Sequence, residues 1–502
     1  MLSTKGNTGK VRSKRQLNRI LTVVAICISI LVLYEMSGLG DKSRSHKDKI
    51  QRMRKPHIIQ QQQQQHEKIR FGNLTYEEKL DLVIAGKVHL INLHVSDHNN
   101  LSHNSSYEGA ITASFCQLDW SLHKNDPSSY AMFRALVEES RCDRTIDLDL
   151  QSTIAAVREF DAENSQIDKQ ATSNADGKRR YRVDLHNGGY VHTMEPKGFV
   201  FHESRCGSTL AANSLAAFEP SMNRVYSESP PPVTAAKVCS SSSNARNRKR
   251  GGRERGNGND NNNLCPKGRA AEIIRDTMYL MGRTDDEEEQ NLFFKIQSVG
   301  SKSIHLFTEA YPETPWIYVY REPVQVMMSH LKQGGNRANC VRQLDKSDVS
   351  EELMRRLRQD KGSSDPLDEL STEEECALHL SMLCNSAVEN LLSEESLGRP
   401  VNYENLATKM IEHIIPEHFK VVMTDERREN ILQVSSQYSK GMGKRKGDWK
   451  DDTQKKENLA TPEVRNAASY FLKDSYEWME EESSSQAQYY NAQDDFAGGI
   501  GQ

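Results

Sequence analysis

The stretch GFVFHESRCGSTLAANSLAAF, Gly198 to Phe218, passes from a short apolar run through a small-residue turn into a run rich in Leu and Ala. Gly198 to His202 reads as a strand and the residues after Thr209 read as a helix, with Arg205, Gly207, Ser208 and Thr209 in the turn between them. Backbone N–H groups at a helix N-terminus carry partial positive charge, and a glycine lets the chain approach an anion closely. Ser208 and Thr209 add hydroxyl donors, and Arg205 adds a planar cationic fork. The turn is therefore fit for phosphate or sulfate. A nucleotide-triphosphatase loop needs two spaced glycines and then Lys-Ser or Lys-Thr. Gly207 has no such partner and no Lys follows it. Taken alone, the turn is also consistent with an empty strand-to-helix bend.

Working outward, similar short runs recur: NRVYSE from Asn223, LFFKI from Leu292, WIYVY from Trp316 and PVNYE from Pro400, each separated by helix-like sequence. Alternating strands and helices imply an α/β fold, a parallel sheet of P-loop type covered by helices. Ligands of such sheets sit beyond the carboxyl ends of the strands. Arg321 follows WIYVY at that point, and Pro323 suits the first turn of the next helix. Ser329, about two turns into that helix, can join Arg321 on a second phosphate. Glu228, ending NRVYSE beside the first turn, is the expected general base; a capping or salt-bridged carboxylate is the alternative role. His202 and Glu203 are the other bases within reach. Lys295, ending LFFKI, is a further expected catalytic group, with an ordinary surface lysine as the alternative.

The ordered set resembles the sulfotransferases that use 3′-phosphoadenosine 5′-phosphosulfate (PAPS). Arg205, Cys206, Gly207, Ser208 and Thr209 match their first signature, and Arg321, Glu322, Pro323 and Ser329 match their second. VNYENL, Val401 to Leu406, matches a third element, with Asn405 where the family has Asp. The resemblance covers Gly198 to about Phe419. It implies that Arg205, Cys206, Gly207, Ser208, Thr209 and Leu210 hold the 5′-phosphosulfate, and that Arg321 and Ser329 hold the 3′-phosphate. For sulfuryl transfer the expected catalytic residues are Glu228, Arg205 and Lys295, and the reaction demands no metal. KRKGDWK, Lys444 to Lys450, echoes a nucleotide-binding loop of the soluble branch, with altered upstream spacing. Arg205, where soluble members often carry Lys, is closer to the membrane-anchored carbohydrate enzymes. The readings that compete with an enzyme are a non-catalytic binding protein of the same fold and a P-loop kinase.

Elsewhere the chain sets the context. Only 36% of the 502 residues are hydrophobic, so part of the length is not packed core, and the net charge of -4 points neither to nor away from nucleic acid, for which no motif is present. Residues 1–19 are basic without an acid, and the apolar run in 20–36 follows. This reads as a signal anchor with the body in a secretory lumen, such as the Golgi, and a cleaved signal peptide is the alternative. Residues 37–70 read as a polar stem, 71–190 as an N-terminal extension and 191–480 as the sulfotransferase-like domain. Within that domain 240–263 reads as a disordered insertion, and 481–502 reads as a frayed tail. Sequons at Asn73, Asn100 and Asn104 agree with a lumenal glycoprotein. Among nine cysteines, Cys116 with Cys142 and Cys239 with Cys265 are plausible pairs, and Cys206 is expected to be free. The expected acceptor is a glycan or protein hydroxyl; the sequence does not indicate an oligomeric state.

Overall fold

Among the described residues the strands fall into three sheets. In the computed structural model the described residues are 72–96, 101, 106–167, 181–184, 189–239, 265–332, 338–436 and 453–498. His89–Val95 (β1), Ile111–Cys116 (β2) and Ile146–Asp149 (β3) form an antiparallel sheet with β2 at its centre. Ser165–Ile167 (β4), Tyr181–Asp184 (β5) and Tyr190–Thr193 (β6) form antiparallel ribbons. Pro196–His202 (β7), Asn223–Ser227 (β8), Arg283–Thr284 (β9), Asn291–Lys295 (β10), Trp316–Tyr320 (β11) and Gly398–Asn402 (β12) follow. β9 closes the ribbon against β6, and the other five make a parallel sheet in the order β12-β11-β7-β10-β8. The expected α/β architecture with a helix-flanked parallel sheet is present.

The parallel strands are buried along their length: β8, β10 and β11 have no exposed residue. Strands covered on both faces read as continuous apolar runs, which is why these segments stand out in the sequence. Their side chains build an aromatic core in which Phe199, Phe201, Phe293, Phe294, Trp316 and Tyr226 are nearly inaccessible. Tyr226 stacks on Phe294 with ring centroids 5.3 Å apart.

The extension packs on this core through charge as well as surface. Arg224 of β8 lies 4.9 Å from the ring of Trp120 and pairs at 2.5 Å with Glu289, which also meets Lys124 at 2.9 Å. Burial alone would raise the Glu289 carboxyl, but Arg224 and Lys124 outweigh it and hold it below the usual carboxylate value. The helix Leu150–Asn164 begins behind Asp149, whose carboxylate accepts the N–H of Ser152 at 2.8 Å. Both expected disulfides are present, with a third, Cys340–Cys376, and Cys206 is free and buried.

Two expectations need correction. PVNYE is a strand only as far as Asn402, and the chain then turns. Of the residues expected to fray, 481–498 continue a helix, Lys473–Gly498. Its start is anchored in the core, where Met479 is buried and its carbonyl accepts the Tyr320 hydroxyl at 3.0 Å, and no proline follows to stop it. The expected anchor, stem and insertion, and KRKGDWK, lie outside the described residues. Among the described residues no helix is long and apolar enough to cross a membrane.

Glu289→Ala leaves Arg224 buried without its partner, and is expected to cost roughly 3–5 kcal/mol of stability in chemical denaturation. Burial pushes His123 down to about 4, and His379 and His418 to about 3. Their depressed values mean stability present above about pH 6.5 and lost as pH falls from there toward 3. The denaturation midpoint should therefore drop across pH 6.5 to 4, and His379→Gln should flatten part of that drop.

Candidate functional site

β7 ends at His202, and the chain reverses sharply. Ser204, Arg205 and Gly207 have φ of 70°, 55° and 91°, so the turn is held in the left-handed region, where non-glycine residues are strained. This bend turns Cys206 inward, where its thiol donates to the Val319 carbonyl at 3.1 Å and burial pushes it up to about 12. Arg205 is turned outward, is exposed, and has no ion pair among the described residues. The helix starts at Thr209, and its N-cap residue Ser208 makes no side-chain capping bond. Thr209 and Leu210 form the first turn. The turn thus exposes Arg205 at the start of the helix, while the Cys206 side chain is a packing group.

Gly207 is required for a second reason. A Cβ there would lie 2.1 Å from the ring of Tyr403, in the turn after β12. The same ring lies 4.8 Å from the Arg321 guanidinium. Tyr403, Leu210, Leu406 and Ser435 line a cavity of about 200 Å³ beside the turn. The sequence marked VNYENL but not this contact, which joins residues far apart in the chain.

Beside the turn, on the other flank of β7, lie the ends of β10 and β8. The Glu228 carboxylate is ion-paired with Lys295 and lies 3.7 Å from His202 Nε2. Glu228 itself has φ 58°, and its N–H is fixed to the Lys295 carbonyl at 2.7 Å. Its side chain is 25% exposed and that of Lys295 is fully covered, so solvent reaches the carboxylate rather than the ammonium. Lys295 is therefore not a surface group; the carboxylate that draws it inward stands 67 residues earlier in the chain. His202 Nδ1 accepts the N–H of Ser204 at 3.0 Å, which leaves Nε2 directed toward Glu228.

Arg321 follows β11 as expected and is 9% exposed. Its Nε donates to Gln325 Oε1 at 2.7 Å and a terminal nitrogen donates to Thr453 Oγ1 at 2.9 Å. Pro323 opens the next helix, and Glu322 caps it by accepting the N–H groups of Val324 and Gln325. Ser329 is buried and its hydroxyl donates to the Gln325 carbonyl at 2.8 Å. Gln325, which sequence reasoning missed, thus stands between Arg321 and Ser329. Glu203 is not a base facing the site. It is 2% exposed and accepts the N–H of Arg321 at 2.5 Å. Among the described residues no group of three His, Cys, Asp or Glu side chains is placed to hold a metal.

No family model matches the chain, and no curated protein does. Among solved structures it is similar to a sulfotransferase from Alicyclobacillus acidocaldarius, at 12% identity and TM-score 0.26, covering 56% of this chain and 99% of that one. It is similar to sulfotransferase STF9 from Mycobacterium avium, at 12% identity and TM-score 0.28 over 73% of this chain and 88% of that one. It is also similar to mouse sulfotransferase SULT7A1 complexed with PAP, at 9% identity and TM-score 0.26 over 59% of this chain and 94% of that one.

Gly207→Ala combines a left-handed φ with the collision against Tyr403 and is expected to lower stability by more than about 1–3 kcal/mol. Adding Tyr403→Ala should recover the steric part only. Fully additive losses in the double variant would show that ring and glycine do not meet.

Proposed function

We propose that this chain transfers a sulfuryl group from PAPS to an acceptor hydroxyl. The observation that carries the reading is the ion-paired Glu228 carboxylate at the carboxyl edge of the sheet, beside a strained anion-fit turn, with Arg321 beyond the adjacent strand. The order of these groups in the chain is that of the signatures that the sequence resembles.

Arg205, Gly207, Ser208 and the Thr209 amide take the 5′-phosphosulfate, with Leu210 beside them. Arg321 takes the 3′-phosphate, with Ser329 and Gln325 shaping the helix behind it. The cavity beside Tyr403 suits the nucleoside between the two anionic ends. Glu228 accepts the acceptor's proton as its oxygen attacks sulfur; the new S–O bond forms while the bond to the phosphate oxygen breaks. Lys295 and Arg205 stabilise charge on that departing oxygen, and 3′,5′-phosphoadenosine (PAP) leaves. Such a transfer depends on in-line placement and fixed charges.

Three disulfides favour an oxidising compartment. With the basic flank before residues 20–36, they support a single-span protein whose body lies in a secretory lumen and whose acceptor is a glycan or protein hydroxyl. Protease added to sealed microsomes is then expected to leave the body intact, and digestion of the body would reverse the orientation.

Labelled-sulfate transfer from PAPS to a panel of glycans and peptides tests the reading directly. Arg321→Ala is expected to weaken PAP binding by roughly 1.5–3 kcal/mol. Arg205→Ala should lower turnover as well as binding, and Glu228→Gln should bind PAP normally and turn over slowly. Normal turnover in Glu228→Gln would remove Glu228 as the base. Binding of ATP in preference to PAP would point to a kinase.

A further inference from the structure

Glu203 is turned away from the Glu228 side of the site, yet it touches the framework of both anionic ends. It is the residue just before the strained turn. One carboxyl oxygen accepts the Arg321 N–H at 2.5 Å, and the other meets the Cys384 thiol at 3.5 Å. The Cys384 sulfur in turn accepts the Tyr318 hydroxyl at 3.6 Å. The titratable groups that face Glu203 are Cys206 in the turn, Tyr318 of β11, Arg321 and Glu322 beyond β11, Cys384 of the helix Thr372–Leu391, and Tyr476 of the helix Lys473–Gly498. Arg321 is the one cation among them, and Glu203 forms no ion pair among the described residues.

We propose that Glu203 is a positioning residue whose carboxyl fastens the Arg321 backbone to the end of the central strand, and whose charge sets whether the turn accepts an anion. This rests on the placement of the phosphosulfate at Arg205 to Leu210 under the proposed function. A neutral carboxyl can accept the Arg321 N–H without burying a net charge. Once ionised, the same group puts an anion in a low-dielectric interior directly behind the turn. Burial raises Glu203 to about 8, against the opposing pull of the Arg321 N–H and the Cys384 thiol. The proton on Glu203 and the anion in the turn therefore favour each other, and by linkage each strengthens the binding of the other.

The test is calorimetric PAP binding from pH 6.5 to 9.5 by the wild-type chain, Glu203→Gln and Cys384→Ala. Wild-type affinity is expected to fall above about pH 8, by up to about tenfold per pH unit. Glu203→Gln keeps an acceptor for the Arg321 N–H and carries no charge, so it should match wild type at pH 6.5 and stay level above it. Cys384→Ala removes a donor to the ionised form and should move the midpoint to higher pH. Parallel profiles in all three proteins overturn the proposal; if Glu203→Gln does not fold, the Cys384→Ala midpoint decides alone. Should PAP bind at no pH, the sulfotransferase reading fails, and ligand-free melting still tests Glu203. A carboxyl raised from 4.5 to about 8 gives stability that is full below 4.5 and lost as pH rises through about 8. Wild type should lose melting temperature over that window relative to Glu203→Gln, and Cys384→Ala should go on losing it to higher pH than wild type. An unchanged difference overturns the proposal.

Discussion

Hydrogen bonding of β7 to β10 on one side and β11 on the other is the constraint on which the site depends. Parallel register sets Val319 opposite His202, Lys295 opposite Val200 and Ser227 opposite Lys295, so four strands end together. At those ends Glu203 then meets Arg321 and Glu228 meets Lys295, though the partners lie far apart in sequence. The turn after β7 is bent through left-handed conformations that Ser204 and Arg205 would not choose alone. The neighbouring strands, the inward Cys206 and the Tyr403 ring hold it there.

Charge in this interior is kept by pairing. Lys295 is covered and partnered by Glu228, and Arg224 and Glu289 are covered and partnered by each other. The two pairs differ in their exposure. Glu289 is closed off with its guanidinium, and the pair joins the extension to the sheet. Glu228 keeps one quarter of its side chain in solvent, so the same kind of pair can meet an incoming hydroxyl. Loss of a partner inside the fully covered pair leaves an isolated buried charge.

The parallel strands were legible because strands buried on both faces are short, unbroken apolar runs, and because Gly207 and Pro323 punctuate their ends. Glu228, Lys295 and Arg321 were readable as strand-end residues for the same reason. Burial of Lys295 was not, since it depends on a carboxylate from another strand. Nor was the inward role of Glu203, the Gln325 link or the packing of Tyr403 on Gly207, all of which are set by tertiary contact. The first sheet is not legible in the sequence because the register of β1 slips between Leu90 and Asn92, which blurs its alternation. The C-terminal segment looks like a frayed tail in sequence, whereas Met479 and Tyr476 pack the start of its helix against β11.

The most direct measurement is a crystal structure of the full chain with PAP bound. The account predicts the 5′-phosphate against Arg205 and the amides of Gly207 to Thr209, the 3′-phosphate against Arg321, and Glu228 facing the open side of the 5′ end. PAP bound away from the end of β7, or seated with its 3′-phosphate remote from Arg321, would contradict it.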